Sequence, residues 1–135
     1  MKKHIFLHSL ILFIFMLTGC GDNVRLRGTV TFSDDGSPLP MGTVNFAKDG
    51  YLARGIIKED GSYVVGSLSS NDGLLPGTYR VYVTGAYREV APGLDESLID
   101  HKYHTPDTSG LVCEVPYPRG RYNISVDRFP FPTSR

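Results

Sequence analysis

The chain has 135 residues, room for one compact domain. Its 15 glycines, 9 prolines and 8 tyrosines, with no tryptophan and with Thr and Val spread through the middle, describe short strands and many turns and exclude a helical protein. The formal charge is zero, and Lys2 and Lys3 account for two of the 14 basic side chains, leaving 12 against 14 acidic ones beyond the N-terminal leader; no basic excess is present to neutralise phosphates, so nucleic-acid binding is set aside.

Lys2 and Lys3 precede an apolar stretch, Ile5 to Leu17, interrupted only by His8 and Ser9, and Thr18-Gly19-Cys20 follows it. A charged, then apolar, then small-residue order is that of an export signal. The 13 apolar-stretch residues fall short of the roughly 20 a spanning helix needs, so residues 1–19 are read as a signal peptide. Leu17-Thr18-Gly19-Cys20 resembles the lipobox of bacterial lipoproteins. That resemblance implies cleavage before Cys20 and transfer of a diacylglyceryl group to its thiol, giving two or three palmitate-like acyl chains. Each buried methylene contributes about 0.8 kcal/mol, and two chains suffice for stable anchoring. Gly21 stands where enteric inner-membrane lipoproteins carry Asp, which favours the outer membrane over the inner. Residues 20–23 form the lipidated cysteine and a tether whose Gly21, Asp22 and Asn23 reach about 10 Å at roughly 3.3–3.6 Å per residue. The domain is expected at the membrane surface, in the cell envelope.

From Val24 to Ser33, apolar Val24, Leu26, Val30 and Phe32, with Gly28 in register, alternate with Arg25, Arg27, Thr29 and Thr31, the period of a half-buried strand. Asp34-Asp35-Gly36-Ser37-Pro38 supplies turn chemistry, and Gly42 to Lys48 places Val44 and Phe46 on one face; the two segments read as a hairpin. After Lys48-Asp49-Gly50 comes a third strand, Tyr51 to Lys58, then Glu59-Asp60-Gly61 and a fourth, Ser62 to Gly66. Leu74-Leu75-Pro76-Gly77 leads into a fifth, Thr78 to Thr84. Residues 85–110 lack sustained alternation and read as a long loop, either functional or loosely ordered, with a short helical turn over Leu94 to Ile99. Leu111, Cys113 and Val115 mark a sixth strand, and Tyr122, Ile124 and Val126 a seventh, before a proline-containing tail over 129–135. The pattern predicts an all-β domain over 24–128, a seven-stranded antiparallel β-sandwich.

Four pieces, Arg27-Gly28-Thr29-Val30-Thr31-Phe32, Ser37-Pro38-Leu39-Pro40 with Gly42-Thr43-Val44-Asn45-Phe46, Asp60-Gly61-Ser62-Tyr63 and Leu75-Pro76-Gly77-Thr78-Tyr79-Arg80-Val81, are similar in order to the carboxypeptidase regulatory-like domains. The resemblance implies a transthyretin-like (prealbumin-like) sandwich. With the lipobox, His101-Lys102-Tyr103 and Thr108-Ser109-Gly110-Leu111, the chain also resembles small lipoproteins of planctomycetes, which implies an architecture and a location but no reaction or cofactor.

Among candidate sites, His101, Tyr103 and His104 offer two imidazoles and a phenol to a transition metal. The fold family's ferric dioxygenases use two Tyr and two His, but their His-x-His element is missing, and on a strand His101 and His104 would face opposite sides. Tyr117-Pro118-Arg119-Gly120 departs from the terminal Tyr-Arg-Gly-Ser of the hydroxyisourate hydrolases. Asp34, Asp35 and Asp60 sit beside turn glycines, where local hydrogen bonding explains them better than calcium. Cys113, the one thiol left after lipidation, has apolar neighbours and reads as core. Ser109 lacks any nucleophile elbow, and Asn123-Ile124-Ser125, though a sequon, reads as strand. Two functions follow. In the first, a non-catalytic binding or structural module uses the 85–110 region, with Tyr87, Arg88 and Tyr103 as contact residues, to meet an envelope protein or glycan. The alternative is a metal-dependent enzyme using His101, Tyr103 and His104.

Overall fold

The computed structural model describes residues 22–129. Nine strands and two 3-10 turns follow in order: β1 Arg27–Phe32, β2 Thr43–Lys48, β3 Tyr51–Ile56, β4 Ser62–Val64, β5 Gly77–Thr84, β6 Tyr87–Ala91, β7 Leu94–Ser97, the turn His101–His104, β8 Leu111–Val115, the turn Pro118–Gly120 and β9 Ile124–Val126. Seven strands make the expected sandwich, one sheet in the order β4-β1-β9 and the other β3-β2-β5-β8; β6 and β7 form a separate two-stranded ribbon. Every pairing is antiparallel except β1 with β9, which run parallel from Val30 opposite Ile124 to Phe32 opposite Val126.

The hairpin expected between β1 and β2 does not form, because the two strands belong to different sheets. The Asp34–Ser37 turn sends the chain back along β1 for one bridge, Thr31 with Pro38, and Leu39, buried completely, then plugs the sandwich as the chain crosses to the opposite sheet. Residues 85–110 also differ from expectation: a β-hairpin replaces the helical turn over Leu94 to Ile99. Its turn is Pro92-Gly93, in which Gly93 takes φ +73°, a conformation open to glycine.

Alternation does set the inner faces. Val30 and Phe32 of β1, Tyr63 of β4 and Ile124 and Val126 of β9 meet Val44 and Phe46 of β2 and Tyr79, Val81 and Val83 of β5. Phe46 is central, with Tyr63, Tyr79 and Tyr122 ring centroids at 6.2, 6.4 and 6.3 Å. The Tyr63 hydroxyl donates to the Tyr122 carbonyl across Gly28, where a Cβ would lie 1.9 Å from that same oxygen. No buried side-chain polar atom among the described residues lacks a partner.

Strand direction separates two poles. The N-terminal segment enters beside Val24, which bridges Leu74, and β1 runs away from it towards Phe32. Beyond that far end lie the β6–β7 ribbon, which leaves β5 at Thr84, and the His101–His104 turn, tied in where Ile99 bridges Arg128 just past β9. The eight residue-to-residue steps from Val24 to Phe32 span about 26 Å of extended chain at roughly 3.3 Å per step.

Candidate functional site

The far pole carries a groove of about 580 Å³, within the range of about 300–1,000 Å³ usual for ligand sites. Tyr87 and Val90 come from β6, Leu94 to Ser97 from β7, His101 and His104 from the 3-10 turn, and Phe129 follows β9. Two stacked ring pairs build its floor: Tyr87 on His104, 5.3 Å between centroids with planes 14° apart, and His101 on Phe129, 4.8 Å and 13°. Tyr87, Val90 and Leu94 are 42%, 47% and 58% exposed, so a cluster of large apolar groups faces solvent there.

The frame beneath is hydrogen-bonded. Asp100 accepts from the Lys102 amide at 3.0 Å and starts the turn. Asp127 accepts from Lys102 Nζ at 2.7 Å, Ser33 Oγ at 2.7 Å and the Tyr103 hydroxyl at 3.1 Å. These bonds, that from Lys102 foremost, hold its pKa down at about 2. Nδ1 of His104 donates to the Val83 carbonyl at 2.9 Å, and its Nε2 lies 2.8 Å from Ser97 Oγ. On β6, Arg88 pairs with Glu96 of β7 at 3.0 Å.

The candidate metal residues do not converge. In a 3-10 turn, residues three apart eclipse, so His101 and His104 share a side, with centroids 5.8 Å apart, and do not take the opposite faces expected of a strand. Yet both nitrogens of His104 are engaged, and the Tyr103 hydroxyl donates to Asp127 and accepts from its amide. No group of three or more His, Cys, Asp or Glu placed to hold a metal occurs among the described residues. The residues present therefore do not fit a metal centre of the expected composition.

Of the expected contact residues, Tyr87 and Arg88 lie exposed on β6, whereas Tyr103 is buried and serves as a strut. Val90, Leu94 and Phe129 were missed by sequence reasoning; Pro92-Gly93 between two short runs was the signal that could have found the first two. Elsewhere, Asp35 and Asp60 each accept from a serine amide two residues on, at 2.9 and 3.0 Å, and Asp34 pairs with Arg128 at 2.9 Å. Cys113 is fully buried in the core, and burial pushes its thiol up to about 11. Ser109 is buried with its hydroxyl on the Val81 carbonyl, and Asn123 accepts from the Thr29 amide at 3.2 Å. Residues 1–21, with the signal peptide and Cys20, and residues 130–135 of the tail lie outside the described residues.

Together the fold and the groove define an all-β sandwich domain with an aromatic and aliphatic recess at one pole. No protein-family model and no curated protein sequence matches the chain. Among solved structures it is similar to BcpA, the major pilin subunit of Bacillus cereus, at 13% identity and a TM-score of 0.48. The match covers 78% of this chain and 30% of the pilin.

Proposed function

We propose that the chain is a lipid-anchored envelope protein whose non-catalytic sandwich holds the Tyr87–Leu94 groove out to a protein partner. On this reading it is a small lipoprotein of the carboxypeptidase regulatory-like kind, attached through Cys20 to the outer membrane. The observation that carries the reading is the position of the groove, at the pole opposite the N-terminal segment and about 26 Å along the strands from it. An anchor at Cys20 leaves that pole facing away from the bilayer. A protein is favoured over a glycan because Val90 and Leu94 present aliphatic surface, which gains from meeting other apolar side chains and offers no hydrogen bond to sugar hydroxyls.

The test is photo-crosslinking from position 94 in the membrane-anchored chain, with position 49, in the turn between β2 and β3, as control. A defined adduct from position 94, absent from position 49 and lost on Tyr87→Ala, is expected. An adduct that survives Tyr87→Ala, or forms equally from position 49, would move the site elsewhere.

A further inference from the structure

At the near pole, three arginines line one depression and a fourth stands next to them. Arg25, Arg27 and Arg119 line it with Val64 and Asn71, and Arg121, just past the Pro118–Gly120 turn, is the bridge partner of Arg27. All four are exposed, and none makes an ion pair with a described residue, although Arg80, Arg88, Lys102 and Arg128 all do. The turn Pro118–Gly120 holds Arg119 in this cluster: its Gly120 Cβ position is 3.1 Å from the Arg25 carbonyl, and Arg119 itself takes φ +60°.

An adjoining depression, which shares Val64 and Asn71 with the first and is also lined by Arg54 and Lys58, carries Leu68, 95% exposed. Its loop is not loosely held. The Asp72 carboxylate turns inward and accepts from the amides of Ser67, Leu68 and Ser69 at 2.6, 3.2 and 3.1 Å, and the Asn23 side chain lies 3.5 Å from Ser67 Oγ. A bonded loop thus displays a single leucine in water, with the Asp72 carboxylate committed to backbone amides. Four residues separate Arg25 from Cys20, and the five steps between them reach at most about 18 Å of chain.

We infer that this pole is a membrane-docking face, in which Arg25, Arg27, Arg119 and Arg121 bind the phosphates of anionic phospholipid headgroups and Leu68 enters the acyl boundary. The inference rests on the reading of Cys20 as the anchor, which sets this pole against the bilayer. Charge complementarity selects the occupant: four guanidiniums suit phosphate oxygens, and an aliphatic tip suits the layer just beneath them. Docking fixes the tilt of the sandwich, so that the far groove is presented outward.

The chain has no tryptophan, so Leu68→Trp places one reporter at the proposed insertion point. The full chain, expressed with its leader in a bacterial host and purified from the membranes, is reconstituted into phosphatidylcholine vesicles with or without phosphatidylglycerol. Expected are flotation with both compositions and a blue-shifted emission protected from acrylamide only in the anionic vesicles. Arg25→Gln with Arg27→Gln should lower the docked-to-undocked ratio by more than about tenfold, and 1 M salt should abolish it. Flotation with a reporter equally quenched in both vesicles overturns the docking face and leaves the anchor standing, even if native membranes, where a protein could cover the site, do protect it. Flotation only with anionic vesicles, lost in the arginine variant, supports the face and overturns the anchor. Flotation with neither overturns both.

Discussion

The Tyr87 ring lies face to face with the His104 imidazole, 14° between planes, and so seats the β6–β7 ribbon on the 3-10 turn. The two rings have different duties. His104 is fixed from behind by Val83 and Ser97, whereas Tyr87 keeps 42% of its surface in water. Tyr87→Ala should therefore weaken partner capture by about tenfold or more, as for an interface anchor, and leave Tm nearly unchanged. His104→Ala should destabilise the fold by about 1–3 kcal/mol, since the Val83 carbonyl and the Ser97 hydroxyl each lose a hydrogen bond to the ring. Urea unfolding followed by circular dichroism separates the two. Equal losses of stability would show that the ribbon belongs to the folding core.

Gly28 has no room for a side chain. Its Cβ position is 1.9 Å from the Tyr122 carbonyl oxygen and 2.8 Å from the Tyr63 hydroxyl, so Gly28→Ala must push β9 away from β1. A loss of about 3 kcal/mol is expected. Tyr63→Phe, which keeps the ring and removes only the donor to that carbonyl, should be milder, about 1–2 kcal/mol. A neutral Gly28→Ala would mean that the β1–β9 pairing is not as close as described.

Asp127 links the turn to the sandwich, and its stability contribution has a definite pH window. Its pKa is 3.8 when unperturbed and about 2 in the fold, where Lys102, Ser33 and Tyr103 all donate to it. A folded pKa below the unfolded one means that the ionised group stabilises fully above about pH 4 and loses this effect as the pH falls towards 2. Thermal unfolding of Asp127→Asn should therefore fall less between pH 5 and pH 2 than that of the native chain. Parallel curves would count against the Lys102–Asp127 link.

Legibility followed burial. β1, β5, β8 and β9 were readable because each buries one face, so that Val30 and Phe32, or Val81 and Val83, recur at a spacing of two. The partner of β1 was not readable. Turn chemistry at Asp34–Ser37 fits a hairpin, and only the burial of Leu39 between the sheets shows that the chain crosses over instead. The ribbon was missed for the opposite reason: β6 is exposed along its whole length, so no alternation marks it, and Pro92-Gly93 alone signals the turn. The groove inherited that omission. Tyr87 was found as a residue type, and Tyr103 was chosen on the same ground although it is buried against Asp127. His101 and His104 were placed on opposite faces by a strand period that a 3-10 turn does not have.

Everything said about orientation depends on Cys20, and one comparison tests it directly: acyl-chain labelling and membrane fractionation of the native chain beside Cys20→Ala. The account predicts that the native protein takes up labelled fatty acid and sediments with membranes, and that Cys20→Ala takes up none and leaves the membrane fraction. Label in the Cys20→Ala protein, or its full retention at the membrane, would contradict the lipid anchor and with it the outward presentation of the groove.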